Sequence, residues 1–132
     1  MTTIFSKIIA REIPAQFVYE DDICIVVMDK FPAVLGQTLV ISKKEVDYIL
    51  DLSDEDYSHL FMVAKKIAKA SDKEFNAVRS CFVVEGFEVP HVHIKIYPMA
   101  TIDENIGSVM TEQSEKSDEE LQVMADKLKA AL

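Results

Sequence analysis

The sequence predicts an α+β fold with an antiparallel sheet of about five strands, one long helix and a C-terminal helix. Short β-rich runs separated by turn residues occur three times before residue 45 and twice between residues 80 and 98. Between these groups, residues 54–75 carry apolar side chains at helical spacing. A chain of 132 residues fits one domain, so residues 1–132 are predicted to fold as a single unit.

The elements begin with a short helix or turn at residues 3–9, which ends near Arg11 because the residue before Pro14 is pushed toward extended geometry. The next two runs flank Asp21 and Asp22, whose side chains favour a turn, and this pattern predicts a hairpin. The predicted strands span residues 17–20, 23–28, 36–41, 80–85 and 89–98.

The two larger helices each begin with a capping signature. Ser53 is followed by three acidic residues, which the helix dipole favours in a first turn, and a helix is predicted over 54–75. Ser117 is also followed by acidic residues, and an apolar stripe continues the predicted helix to Leu132. Residues 100–116 are small and polar, and they are predicted to form a surface loop.

Composition narrows the possible functions. A net charge of -9 and a pI near 4.7 oppose binding to a polynucleotide, but not to a small nucleotide. No apolar run approaches the ~20 residues that span a bilayer, and the first residues lack an apolar core of signal-peptide length. Cys24 and Cys81 are predicted to be buried, reduced thiols. We therefore expect a cytoplasmic protein that binds neither a polynucleotide nor a membrane.

Residues 89–98 are the clearest candidate for a functional site. Apolar and polar residues alternate there, which is the period of a strand with one buried face. Val92, Ile94 and Ile96 are predicted to enter the core, so the alternate side chains lie on the opposite, exposed face, ~6.6 Å apart along the strand. This row consists of His91, His93, Lys95 and Tyr97.

Three nitrogen-bearing side chains in one row are costly to place together unless an anion, a metal or carboxylates face them. A nucleophilic imidazole must be neutral, and a cation at Lys95 lowers the pKa of a neighbouring histidine by disfavouring a second positive charge. The same cation would neutralise charge on a phosphoryl oxygen in a transition state. The row is therefore interpreted as an active face.

The segment His91-Val92-His93-Ile94-Lys95-Ile96 resembles the signature of the histidine triad (HIT) superfamily, in which three histidines alternate with apolar residues. Other segments resemble the Hint branch of that superfamily, in the same order along the chain. The resemblance covers residues 3–99 and leaves the loop and helix of residues 100–132 outside it. The matching segments are residues 3–9 and 12–15, residues 19–22, Asp29 with Pro32, residues 36–43 and Val89-Pro90.

The resemblance implies the HIT fold and a homodimer in which two copies form one continuous sheet. It also implies a hydrolase or transferase, without a cofactor, that acts at the α-phosphate of a purine nucleoside phosphoramidate or a dinucleoside polyphosphate. His93 corresponds to the histidine that attacks phosphorus and forms a nucleotidyl-histidine intermediate. The backbone carbonyl of His91 would hold one ring N–H of His93 and leave the other nitrogen free.

The resemblance also assigns the nucleoside pocket. Asp29 corresponds to the residue that binds ribose hydroxyls. Thr3 and Ser6 stand where zinc-binding relatives have cysteines, so no structural zinc is expected. The nucleobase pocket corresponds to Ile4, Phe5, Ile8 and Val27.

The chain departs from the family pattern at the site itself. Lys95 replaces the third histidine, and Gln37 replaces a histidine that usually contacts it. An amide oxygen can accept from an ammonium group, so Gln37 and Lys95 are expected to pair. Phe87 and Glu88 stand where the family has a glutamine and a hydroxyl residue that grip the phosphate. Glu88 would either pair with Lys95 or, if protonated, act as an acid toward the leaving group.

Three hypotheses for the site follow. The first is the enzyme that acts through His93. The second is a catalytically weak or inactive nucleotide-binding module, because of the departures at Lys95, Gln37 and the Phe87-Glu88 loop. The third is a metal site formed by His91, His93 and Glu88, which the positive charge of Lys95 opposes; no metal is therefore expected.

Overall fold

The computed structural model describes residues 2–132 and contains a five-stranded antiparallel sheet packed against helices. This confirms the predicted α+β fold with one long helix and a C-terminal helix. The strands are β1 (Phe17–Glu20), β2 (Cys24–Met28), β3 (Thr38–Ser42), β4 (Arg79–Val83) and β5 (His93–Met99). The helices are α1 (Ile4–Ile9), α2 (Asp54–Glu74), α3 (Ile106–Val109) and α4 (Asp118–Ala131), and 3₁₀ turns lie at Ile49–Asp51 and Met110–Glu112.

The strands are ordered β1-β2-β3-β5-β4, and each neighbouring pair is antiparallel. β1 and β2 form the predicted hairpin, in which Oδ1 of Asp21 accepts from the N–H groups of Ile23 and Cys24 at 2.8 and 2.9 Å. The chain crosses the sheet through α2 before β4, and β5 returns to lie between β3 and β4. The histidine-bearing strand is therefore inside the sheet, with His93 opposite Ile41.

The main core lies between one face of the sheet and helices α2 and α4. Val92, Ile94 and Ile96 belong to this core, as the alternation predicts. Leu60 and Ile67 of α2 are fully buried against them. Burial of each such side chain contributes about 1.5–3 kcal/mol, so the core fixes which face β5 presents on the other side.

The opposite face of the central strands is covered as well. Phe5 and Ile8 of α1 pack on it, and every residue of β2 and β3 is buried. A strand buried on both faces carries apolar residues without alternation, which explains the continuous run in β2. The side chains beneath α1 are Ile25, Val27, Leu39 and Ile41.

Several strand boundaries differ from the prediction, and the contacts explain two of them, the starts of β5 and β3. β5 begins at His93 because the preceding residues form a turn: the N–H of His91 bonds to the carbonyl of Val89, and the N–H of Val92 bonds to that of Val46, each at 2.8 Å. β3 begins at Thr38 because Gly36 takes a left-handed conformation, with φ of 81°.

The predicted surface loop at residues 100–116 contains α3 and a 3₁₀ turn. Oδ1 of Asn105 caps α3 by accepting from the N–H of Ser108 at 3.1 Å, and Val109 is buried beside Tyr97 and Met99. One buried apolar residue in a polar stretch gives no periodicity, so the sequence pattern does not reveal this short helix. Within residues 2–132, no helix is both long enough and apolar enough to cross a membrane.

Candidate active site

A cavity of about 580 Å³ lies beside the histidine-bearing face of the sheet, with α1 as one wall. Most of the residues that the sequence assigns to the site line this cavity. His91 and Gln37 are exceptions and lie behind its surface. The predicted residues in the lining are Ile4, Phe5, Ile8, Val27, Asp29, Glu88, His93 and Lys95.

α1 is fixed at its start by a capping box. Oγ1 of Thr3 accepts from the N–H of Ser6 at 3.2 Å, and Oγ of Ser6 accepts from the N–H of Thr3 at 3.1 Å. The Phe5 ring then meets the His93 ring edge-on, with centroids 4.8 Å apart and planes at 72°. α1 therefore supplies both an apolar wall and a direct contact to the candidate nucleophile.

His93 is held in one protonation state by two features. A carbonyl can only accept, so the 2.7 Å hydrogen bond to the oxygen of His91 places the proton of the neutral ring on Nδ1. Burial lowers the pKa of His93. The hydrogen bond to His91 acts in the opposite direction, and the positive charge of Lys95 lowers the pKa further. Nε2 is then the unprotonated nitrogen of a neutral imidazole.

The prediction that the histidine row is exposed is wrong. His91 is fully buried, His93 is 5% exposed, and Tyr97 is buried in a separate cluster with Met99 and Val109. The reason is that α1 covers the histidines and the α3 segment covers Tyr97. Lys95 alone in the row is half-buried at the cavity.

His91 also has no free ring nitrogen. Its Nε2 lies 2.7 Å from the carbonyl oxygen of Ser42, and its Nδ1 lies 2.7 Å from Oγ1 of Thr3. The three-ligand metal set of His91, His93 and Glu88 therefore does not form. His91 contributes its backbone carbonyl to the site, whereas its ring anchors α1 and β3.

The residues do not fit the zinc site of zinc-binding relatives either. Thr3 and Ser6 offer hydroxyl groups rather than thiolates, and these groups are already hydrogen-bonded to each other's backbone. Zinc prefers thiolate, imidazole and carboxylate ligands. Thr3 and Ser6 therefore do not form a zinc site.

Lys95 has a different partner from either of those expected. Its Nζ lies 3.8 Å from Oε1 of Glu85, and the predicted pairs with Gln37 and with Glu88 do not form. The distance is long and the Glu85 side chain is one-third exposed, so this ion pair is weak. The ammonium group is therefore available to a ligand at little cost.

Gln37 supports Asp29 instead. Its Nε2 donates to Oδ2 of Asp29 at 2.7 Å, while its Oε1 accepts from the N–H of Ala33 at 2.8 Å. The N–H of Phe31 donates to the other Asp29 oxygen at 2.9 Å. The loop between β2 and β3 thus closes on itself, and the Asp29 carboxylate is fixed at the edge of the cavity.

Sequence reasoning missed one wall of the cavity. Gln113 and Asp118 line it, although both lie beyond the resemblance to the family. Lys30 Nζ binds this segment by donating to Oδ1 of Asp118 at 2.9 Å and to the carbonyl of Lys116 at 2.8 Å. The polar sequence of this segment offers no signal that it would reach the site.

The antiparallel sheet with a His-x-His strand beside a cavity defines a histidine triad domain. The family model described as the HIT domain matches residues 10–101. An uncharacterised HIT-like protein of Synechocystis is 38% identical over 99 residues, which cover 71% of this chain and 87% of that protein. The chain therefore belongs to the HIT family.

Solved structures share the whole architecture. A HIT-like protein involved in cell-cycle regulation from Bartonella henselae matches with a TM-score of 0.86 and 34% identity, over 99% of this chain and 97% of that one. A hypothetical histidine triad nucleotide-binding protein from Sulfolobus tokodaii matches with a TM-score of 0.84 and 26% identity, over 97% and 90% of the two chains. The segment after residue 101 is thus part of a shared arrangement.

The Gln37 contacts generate a stability prediction. We expect Gln37→Leu to lower the free energy of unfolding by about 2–6 kcal/mol, because it leaves the buried Asp29 oxygen and the N–H of Ala33 without partners at ~1–3 kcal/mol each. Urea unfolding measures this value. The matched control is Gln122→Leu on the exposed face of α4, where a change within ~0.5 kcal/mol is expected. Equal losses in both variants would contradict the supporting role of Gln37.

Proposed function

We propose that the protein is a hydrolase or transferase that acts at the α-phosphate of a purine nucleoside phosphoramidate or dinucleoside polyphosphate. The observation that carries the proposal is the His93 ring. Burial lowers its pKa, and the bond to the His91 carbonyl keeps the proton on Nδ1. A neutral imidazole with one defined unprotonated nitrogen is what nucleophilic attack on phosphorus requires.

In the proposed reaction, Nε2 of His93 attacks the α-phosphorus and forms an N–P bond while the bond from phosphorus to the leaving group breaks. The ring becomes positively charged because it keeps its Nδ1 proton, and the His91 oxygen at 2.7 Å stabilises that charge. The leaving group takes a proton from water. The oxygen of a water molecule then attacks the same phosphorus, and the N–P bond breaks with its electron pair returning to Nε2. The nucleoside monophosphate leaves, and the extra proton of the attacking water passes to solvent.

The cavity walls support a nucleoside in the expected orientation. Each Asp29 oxygen accepts one protein hydrogen bond and retains capacity for another, so the carboxylate can accept from ribose hydroxyls. The apolar wall offers contact area for a planar base. Lys95 lies on the same cavity as His93, where its charge would stabilise the phosphoryl oxygens in the transition state. The base-facing residues are Ile4, Phe5, Ile8 and Val27.

The charges of the cavity favour an amine over a polyphosphate as the leaving group. Glu85 and Glu88 line the cavity together with His93 and Lys95. Burial, together with the negative charges of Asp29, Glu85 and Glu88, raises the pKa of Tyr97 to about 12. A departing polyphosphate carries several negative charges and is repelled by these carboxylates, whereas an amine is not. The phosphoramidate is therefore the favoured substrate.

The second candidate function is a nucleotide-binding module that turns over its ligand weakly or not at all. The ion pair between Lys95 and Glu85 supports it, since a Lys95 charge directed to Glu85 contributes less to a transition state. Its length and exposure make the pair weak, which is why the enzyme remains the leading proposal.

The two candidates are separated by a phosphorus NMR time course with adenosine phosphoramidate and diadenosine tetraphosphate. We expect the wild type to release AMP, faster from the phosphoramidate, and His93→Ala to lose turnover while nucleotide still shifts its signals. The control is His59→Ala, because His59 on α2 bonds to Asp21 away from the cavity and its loss leaves the chemistry intact.

Turnover that survives in His93→Ala would rule out the nucleotidyl-histidine route. Signal shifts without any product in the wild type would identify the binding module instead. A Glu88→Gln variant should narrow the rate ratio between the two substrates, because it removes one of the charges that repel polyphosphate.

The positive charge of Lys95 beside His93 should affect how the reaction rate depends on pH. The pKa of His93 is lowered, so wild-type kcat/KM should persist below the ordinary histidine value of ~6.5 and fall only as the ring protonates. We expect Lys95→Met to move this acid limb to higher pH, because removing a positive neighbour makes His93 easier to protonate. The same variant should lower kcat/KM by about 100-fold at neutral pH, because it removes the charge that stabilises the phosphoryl oxygens in the transition state. Rates measured between pH 4 and 9, beside an exposed-lysine control, Lys65→Met, test this. An acid limb at the same pH in Lys95→Met and in the wild type would show that Lys95 does not act on His93.

The outer strand β4 supports the homodimer that the family resemblance implies. β4 pairs only with β5 among the described strands, and Val78, Phe82 and Val84 expose apolar surface on or beside it. An unpaired edge with apolar side chains is a template for pairing with another chain. The proposed dimer joins two copies at β4.

We expect the wild type to sediment as a dimer and Phe82→Glu to shift it toward monomer, because a carboxylate would be buried at the joined edges. Analytical ultracentrifugation measures both. Val123→Glu on the exposed face of α4 serves as the control and should remain dimeric. A wild type that is monomeric at micromolar concentration would contradict the proposed dimer.

The proposed site of action is the cytoplasm. Cys24 and Cys81 are free thiols, which reducing compartments preserve. The net charge of -9 supports a small nucleotide rather than a polynucleotide as the partner.

A further inference from the structure

We propose that Thr3 is a positioning residue whose hydroxyl, acting through His91, couples the placement of α1 to the orientation of the His93 ring. The inference rests on the proposed role of His93 as nucleophile. It assigns a role to a residue that lines no part of the cavity and touches no substrate.

The hydrogen bonds around His91 have only one consistent direction in the neutral ring. The carbonyl of Ser42 can only accept, so Nε2 of His91 carries the proton and Nδ1 carries the lone pair. The hydroxyl of Thr3 must then donate to Nδ1 at 2.7 Å. Its oxygen also accepts from the N–H of Ser6. A continuous chain therefore runs from the first turn of α1, through Thr3 and His91, to the end of β3.

Burial makes this chain rigid. His91 is fully buried and Thr3 is 9% exposed, so water does not compete for their groups. Both ring nitrogens of His91 are engaged on opposite sides, which fixes the rotation of the ring as well as its position. The backbone of His91 is therefore held by contacts from α1 and from β3.

That backbone is what orients the candidate nucleophile. The carbonyl of His91 accepts from Nδ1 of His93 at 2.7 Å. From the other side, Phe5 stands edge-on to both rings, with centroids 5.7 Å from His91 and 4.8 Å from His93. The N-cap of α1 and its second residue thus hold the two histidines together, and the same helix carries the apolar wall for the base.

A consequence is that loss of the Thr3 hydroxyl should affect the chemical step more than binding. Without the donor, Nδ1 of His91 has no partner, and the ring and its carbonyl can rotate. A small misplacement of a reacting group costs up to about 100-fold in rate, whereas the apolar wall for the base is retained. kcat should therefore fall with little change in KM.

The test compares Thr3→Val, which replaces the hydroxyl with a methyl group, with Thr3→Ser, which restores it. Nitrogen-15 NMR of the imidazole rings reports the His91 tautomer and the pH titration of His93 without any substrate. We expect Thr3→Val to broaden or shift the His91 ring signals, to change the His93 titration and to reduce kcat about 10-fold or more. Thr3→Ser should give spectra and rates within ~2-fold of the wild type.

Ser6→Ala is the matched control. It removes the hydroxyl that accepts from the Thr3 N–H, but it leaves the Ser6 N–H that donates to Thr3. The capping box is weakened while the Thr3–His91 bond remains, so the His91 signals should stay at their wild-type positions. Should Thr3→Val fail to fold, Thr3→Ala takes its place with the same expected results.

The outcomes separate this inference from the proposed function. Unchanged ring signals and an unchanged His93 titration in Thr3→Val overturn the positioning role, whatever the turnover. Equal changes in Ser6→Ala also overturn it, since they would show that only the helix cap matters. A wild type that binds nucleotide without turnover defeats the proposed function, but the NMR comparison still decides whether Thr3 holds the histidine pair.

Discussion

The hydrogen bond from Nδ1 of His93 to the carbonyl of His91 is the interaction on which the rest of the site depends. It forms because the chain turns at residues 89–91 before it enters β5, which leaves the His91 carbonyl free of the sheet ladder. The bond decides which ring nitrogen carries the proton. Phe5 adds burial and Lys95 adds charge, and both act on a ring whose tautomer is already fixed.

How far the sequence predicts this site depends on how local each contact is. The alternation in residues 89–98 places Val92, Ile94 and Ile96 in the core, because strand periodicity is a property of neighbouring residues. The His93 bond is predictable for the same reason, since its acceptor lies two residues away. The burial of the histidines cannot be predicted in this way, because the helix that covers them lies far away in the sequence: Thr3 and His91, which are in contact, are separated by 88 residues.

The Gln37 and Lys95 contacts show a second reason why the sequence does not predict the whole site. Pairing the two replaced residues assumes that they remain neighbours as the original residues were. The Gln37 oxygen that was expected to accept from Lys95 accepts from the N–H of Ala33 instead, and its Nε2 donates to Asp29, eight residues away. Lys95 turns toward Glu85. A carboxylate is a better partner than an amide for either donor, so charge complementarity overrides positional analogy.

The cavity also brings together parts of the chain made at very different times. Its walls include residues 4–8 of α1 and the segment that contains Gln113 and Asp118, which Lys30 ties to the loop after β2. During synthesis on the ribosome, the sheet can be completed once β5 has emerged, but the cavity gains its last wall only after residue 118 has followed. A nascent chain can thus complete its sheet before either the last wall of the cavity or the α4 side of the core is in place.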